Sequence, residues 1–202
     1  MSLAPTPLRV LAFAGSLRRN SYNRRLLDAA AEAAPSGISV TVHDSIADVP
    51  LFDEDLEAGT AGGPTGVTRL RAAIAAADGV LMATPEYNQS LPGVLKNTLD
   101  WLSRDDARYG AVLAGKPVAI MGATPGHWGT RLAQSQLRHA LAAMGALTMT
   151  APQLYIAEAG TGIEPGTGYA DAATLKRLQR FLQGFDAWMR LLRGEHPPAR
   201  ET

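Results

Sequence analysis

Apolar positions follow two alternating rhythms along this chain. Short unbroken runs stand at Leu8–Ala14, Gly79–Ala83 and Val118–Met121, and such runs predict strands covered on both faces. Ile38, Val40 and Val42 put β-branched residues on one face of another strand. Leu147–Met149 and Leu154–Ile156 read together as a fifth strand region interrupted at Pro152, which belongs at an edge because proline brings no N–H to a ladder. Between these runs the spacing turns helical. The stripes are Leu26, Leu27, Ala30 and Ala33–Ala34; Val67, Leu70 and Ile74; Leu91, Val94, Leu95, Thr98, Leu99 and Leu102; and Leu132, Leu137, Leu141 and Met144. Pro35 and Gly37 stop the first of these helices and Gly145 the fourth. A last helix, from about Ala170 to Leu192, carries Leu175, Leu178, Phe181, Leu182, Phe185, Trp188, Met189 and Leu192, a face expected to pack into the core.

Five strands alternating with five helices predict an α/β domain with a parallel sheet and helices on both faces. The flavodoxin-like strand order 2-1-3-4-5 is the expected arrangement. The stretch Ser45–Gly66 reads as a long irregular connection, rich in Asp48, Asp53, Glu54, Asp55 and Glu57. A solvated loop is its first reading and a subunit contact or site rim its second. Arg104–Gly115 reads as a charged connector and Ala159–Gly168 as a Gly-rich loop. No break in composition divides the chain, so residues 1–192 are expected to form a single domain, and the polar, Pro-containing segment 193–202 a disordered tail.

Composition narrows the function. Lys plus Arg and Asp plus Glu each number 19, without the basic excess expected of a nucleic-acid partner or the acidity expected of a plain electron carrier. There is no cysteine, which removes disulfides, thiolate catalysis and Cys-based metal sites. No apolar run approaches a membrane span, and Met1–Pro7 lacks a signal-peptide pattern. A soluble cytoplasmic protein is expected.

The candidate chemistry lies in three loops, each after a strand. Gly15–Asn23 combines Ser16, Ser21 and Asn23 with Arg18 and Arg19 at the start of a helix, where free N–H groups and the helix dipole favour a phosphate. Capping by Asn20 or Ser21 explains one such donor but not the concentration of them. The loop lacks the glycine triplet of a dinucleotide site and the chain lacks a Walker string, so a terminal phosphomonoester fits better than a pyrophosphate. Pro85–Asn88 follows the third strand, which the expected order puts beside the first. Tyr87 offers a flat face, and the main chain of Glu86–Asn88 offers polar groups to a ring. Gly122–Gly129 follows the fourth strand with small residues that permit close approach. His127 there has no carboxylate nearby in sequence and is read as non-catalytic. His43, His127, His139 and His196 lack metal-ligand spacing. Lys96 and Asp100 read as a simple helix pair.

These residues resemble the NADPH-dependent FMN reductase family of flavodoxin-like quinone, azo-dye and chromate reductases. The resemblance rests on Gly15-Ser16-Leu17-Arg18 through Asn23, on Pro85-Glu86-Tyr87-Asn88 with Ser90, Pro92-Gly93, Lys96-Asn97 and Asp100-Trp101, and on Gly129–Arg131 with Ala133-Gln134. It spans about residues 8–156. It implies non-covalent FMN, with Ser16, Arg18, Ser21, Tyr22 and Asn23 around the phosphate, Pro85, Glu86, Tyr87 and Asn88 along the isoalloxazine ring, and Thr124, Pro125 and Gly126 at its pyrimidine side. It further implies NADPH or NADH as donor, a quinone, azo compound, metal ion or free flavin as acceptor, no catalytic side chain, and a homodimer or homotetramer. A non-enzymatic flavin shuttle is the competing class. The third loop departs from the family's glycine-rich pattern at Pro125, His127 and Trp128.

Overall fold

The computed structural model describes residues 6–60, 62–162 and 171–195. Its elements in chain order are β1 (Leu8–Ala14), α1 (Tyr22–Glu32), β2 (Ile38–Val42), α2 (Glu54–Ala58), α3 (Thr65–Ala76), β3 (Gly79–Ala83), α4 (Gly93–Leu102), β4 (Pro117–Ala123), α5 (Arg131–Ala143), β5 (Leu147–Thr148), β6 (Leu154–Ile156), α6 (Ala159–Gly162) and α7 (Ala172–Leu192). The sheet is parallel in the order β2-β1-β3-β4-β5, as the alternation predicts. All its carboxyl-end loops therefore gather on one rim.

The expected fifth strand divides in two. β5 pairs with the start of β4 at Pro117 and Val118, and β6 with its end at Met121–Ala123. The intervening residues leave the ladder around the cis Ala151–Pro152 bond, where proline has no N–H to give. β6 thereby comes to support the third loop.

Successive side chains of each strand enter opposite layers. Val10, Ala12, Leu81, Ala83, Ala119 and Met121 pack against Leu26 and Leu27 of α1 and Leu178, Phe181, Phe185 and Met189 of α7. Leu11, Phe13, Val80, Met82, Val118 and Ile120 pack against α3, α4 and α5 through Leu70, Ile74, Leu95, Leu99, Leu137 and Leu141. The stripe of α7 is thus a core face, although Leu192 at its end is exposed. Leu132, placed on the apolar stripe of α5 by its spacing, is also exposed, while Ala133 and Gln134 are buried instead.

Two segments read as irregular hold more structure than their composition suggests. Ser45–Gly66 contains α2, capped by the Asp53 carboxylate, which accepts the N–H of Asp55. The connector 104–115 is anchored by Asp106, whose carboxylate lies 3.5 Å from the fully buried Arg71 guanidinium on α3. Arg71 also donates to the carbonyls of Gly62 and Trp101. After α7, Arg193 pairs with Asp78 at 2.7 Å and Glu195 with Arg190 at 2.8 Å. The remainder of the expected tail and most of the Gly-rich loop lie outside the described residues. No helix among the described residues is long and apolar enough to cross a membrane.

Candidate active site

The first loop is bent back by close packing. Gly15 donates to the carbonyl of Ala83 at 2.8 Å, and a Cβ at this position would sit 2.8 Å from a Leu95 methyl of α4. Ser21, in extended backbone conformation, caps α1: its Oγ accepts the N–H groups of Asn23 and Arg24. That bond leaves the hydroxyl proton of Ser21 to donate elsewhere. The N–H of Tyr22, at the first helical position, has no partner within the helix. The Arg18 guanidinium stands 6.0 Å from the centre of the Tyr22 ring and makes a long 3.5 Å bond to the carbonyl of Asn20, and no carboxylate among the described residues pairs with it.

Asn23 has a different role from the expected phosphate donor. Its Nδ2 donates to the carbonyl of Ala123 and its Oδ1 accepts the N–H of the same residue, both at 2.9 Å. The side chain is buried. It therefore ties the start of α1 to the end of β4 and aligns the first and third loops.

The second loop is a two-residue turn. Tyr87 and Ser90 exchange both main-chain hydrogen bonds, at 3.1 and 3.0 Å, and Asn88 and Gln89 between them have positive φ, 51° and 62°. That is the pattern of a type I′ hairpin turn. Gln136 of α5 clamps it by donating to the carbonyl of Gln89 and accepting from Ser90 Oγ. Glu86 proves to be a helix cap: its Oε2 accepts the N–H groups of Leu132 and Ala133, each at 2.9 Å, at the positive end of α5. Tyr87 remains about half exposed (47%).

The third loop is held from behind by β6. Thr124 donates to the carbonyl of Ile156, and Ala159 and Glu158 donate to the carbonyls of Thr124 and Gly126. Gly122 lets β4 close on its neighbours, since any Cβ there would strike the Thr130 hydroxyl and the Thr84 carbonyl. His127 does have a carboxylate partner: its Nδ1 lies 2.6 Å from Oε1 of Glu158, an exposed residue 31 positions away in the chain. Sequence reasoning could not find that partner, because only the β6–α6 junction brings it alongside. Trp128 is 82% exposed.

Together the loops form one cleft of about 190 Å³, lined by Ser16, Arg18, Ser21, Tyr22 and Asn23 at one end and by Pro85, Glu86, Tyr87, Ala123, Thr124 and Pro125 at the other. Asn88 and Gly126, expected in the site, do not line it: Asn88 forms the turn, and Gly126 receives the Glu158 N–H. Ala123 joins it unforeseen, brought in by Asn23. Among the described residues, the polar end offers a guanidinium with no carboxylate partner, two serine hydroxyls and a helix N–H without a partner, a donor set that suits a phosphomonoester dianion. The other end offers main chain, a half-exposed aromatic ring and small residues, which suit a flat heterocycle with polar edges. The cavity falls below the roughly 300 Å³ of an enclosing ligand pocket, so a molecule of flavin size is held partly open to solvent.

The sequence also matches the profile of the NADPH-dependent FMN reductases over residues 8–161. The chain belongs to that family. As a member of the NADPH-dependent FMN reductase family it is an NAD(P)H-dependent oxidoreductase with FMN as cofactor, and the donor set of the cleft fits that cofactor. It is 40% identical over 187 residues to an NAD(P)H-dependent FMN reductase of Pseudomonas aeruginosa, covering 93% of this chain and 98% of that one. It is 40% identical over 183 residues to a 2-hydroxy-1,4-benzoquinone reductase of a Burkholderia species, covering 91% and 97%. Among solved structures it resembles FerB, a flavoenzyme NAD(P)H:(acceptor) oxidoreductase from Paracoccus denitrificans. That match has a TM-score of 0.80 and 34% identity over 91% of this chain and 98% of that chain.

Proposed function

We propose that this family member is a quinone reductase that draws on NADPH or NADH. The observation that carries the reading is the convergence of the first, second and third loops on a single half-open cleft. Arg18, with the hydroxyls of Ser16 and Ser21 and the N–H of Tyr22, binds the phosphate. Pro85–Tyr87 and Thr124–Pro125 would border the ring. FMN held there would supply the redox chemistry that links the nicotinamide donor to the acceptor. The chain's own part is to position the ring, leave one region of it reachable, and keep the walls rigid through the Asn23–Ala123 and Glu86–α5 bonds. A small aromatic acceptor such as a benzoquinone suits a shallow site bordered by Tyr87. The named activity of the Burkholderia relative supports that choice.

The reading takes in a cytoplasmic location and a homodimer or homotetramer. Leu17, Leu51, Tyr87, Trp128 and Leu132 are all exposed and all follow strand carboxyl ends, so they share the rim that holds the cleft. Exposed apolar groups gathered on one rim favour burial against another subunit.

The test is to load the protein with FMN, exclude oxygen and add NADPH, then NADH. Bleaching of the flavin's visible band, reversed by a benzoquinone, is the expected result. A bound flavin that neither donor bleaches overturns the reductase reading. Bleaching that quinones do not reverse overturns the choice of acceptor.

A further inference from the structure

On the opposite side of the first loop from the cofactor cleft is a larger pocket of about 370 Å³. The strand order explains its place. β1 has β3 on one side and β2 on the other, so its carboxyl-end loop divides two chambers, and Ser16 and Arg18 border both. The far wall of the larger chamber is formed by His43–Ile46, just after β2.

We propose that this second chamber binds the phosphate-bearing adenosine end of the nicotinamide donor, and that it selects NADPH through the 2′-phosphate. The inference rests on the reductase reading. Arg18, Arg19 and Arg24 all line the chamber, against a single carboxylate, Asp44. Arg24 is fully committed: its guanidinium reaches Asp28 and the carbonyls of His43 and Asp44, fixing the far wall to α1. Arg19 is exposed and makes no hydrogen bond or ion pair among the described residues. An unpaired guanidinium beside two others in a concave site is a recognition element for a dianion. Burial, seconded by Arg69, lowers the pKa of His43 below its ordinary value, so near neutral pH the positive charge of the wall comes from the arginines. The half-exposed Leu17 adds apolar surface to the chamber, beside the buried Phe13 and Ile46, which suits an adenine base. Because the chambers share one dividing loop, a dinucleotide whose nicotinamide end meets the cofactor ring can lay its other end across that loop.

The test uses Arg19→Ala in the FMN-loaded enzyme. Arg19 is exposed, so the variant should fold. The ratio of KM for NADPH to KM for NADH should rise roughly ten- to hundred-fold, the effect of losing one charge-assisted contact. Calorimetry with adenosine 2′,5′-bisphosphate gives a readout that does not need turnover: the wild-type holoprotein should bind it and Arg19→Ala should bind it at least ten-fold more weakly. Equal binding by both proteins overturns the inference. So does loss of FMN from the variant, or displacement of FMN by the bisphosphate, since either puts Arg19 or the probe in the cofactor cradle. If the bisphosphate binds as expected but neither donor is oxidised, the reductase reading fails while the phosphate site stands.

Discussion

Arg18 and Asn23 show how differently two polar residues of one loop can serve one site. Arg18 has no carboxylate partner among the described residues, so its charge is available to a ligand. Arg18→Ala should weaken FMN binding by about 1.5–3 kcal/mol, tenfold or more, as read by fluorescence titration. Asn23 holds both main-chain groups of Ala123. Asn23→Ala leaves that buried pair unsatisfied and should cost about 2–4 kcal/mol of stability, measured by urea unfolding of the apoprotein, where no flavin contributes. That Ser16, Arg18, Ser21 and Tyr22 gather at one cleft was legible in the sequence because they are near neighbours in one loop. The function of Asn23 was not, because its partner stands 100 residues further on. Glu158 escaped for the same reason, and with it the environment of His127.

Among the elements, α5 depends on a residue outside itself. Thr130 at its N-cap provides no side-chain cap bond, and the Glu86 carboxylate supplies what is missing. Glu86→Gln removes the charge facing the helix dipole and should lower stability by about 1 kcal/mol, seen as an earlier denaturant midpoint. Because the same glutamate borders the cleft, the flavin spectrum should shift as well. The element pattern itself was readable: short apolar runs and helical stripes located the strands and long helices. The pattern failed where local spacing and tertiary demand disagree. Leu132 fits an apolar stripe but lies at the exposed start of α5, while Arg71 on α3 is buried because Asp106 and two carbonyls receive its charge.

For the molecule as a whole, the rim with the cleft is balanced by an ionic clasp at the other end of the sheet. Asp78, just before β3, accepts the N–H of Arg9 in β1 and the guanidinium of Arg193 after α7, both at 2.7 Å. Burial works to raise its pKa, but the Arg9 N–H and Arg193 outweigh it, so the carboxyl is held below its ordinary value of 3.8. A depressed carboxylate contributes stability above its unfolded pKa and loses that contribution as pH falls through the folded one. Asp78→Asn should therefore cost about 1 kcal/mol near neutral pH. The gap between variant and wild type should close on acidification below about pH 4, as followed by thermal unfolding across a pH series. Fold class and strand order were legible because parallel α/β connectivity allows few alternatives. The clasp was not, since nothing in local spacing links residues 9, 78 and 193.

The bridge between Asn23 and Ala123, backed by the bond from Thr124 to Ile156, also sets a timetable for biosynthesis. The phosphate loop leaves the ribosome first, but its facing wall exists only once β4 and β6 have been made. On the proposed reading, a nascent chain has no complete cleft until Ile156 has been made. FMN bound in that cleft would therefore not template the early steps of folding, and would stabilise the folded domain by mass action, to an extent set by the free flavin concentration.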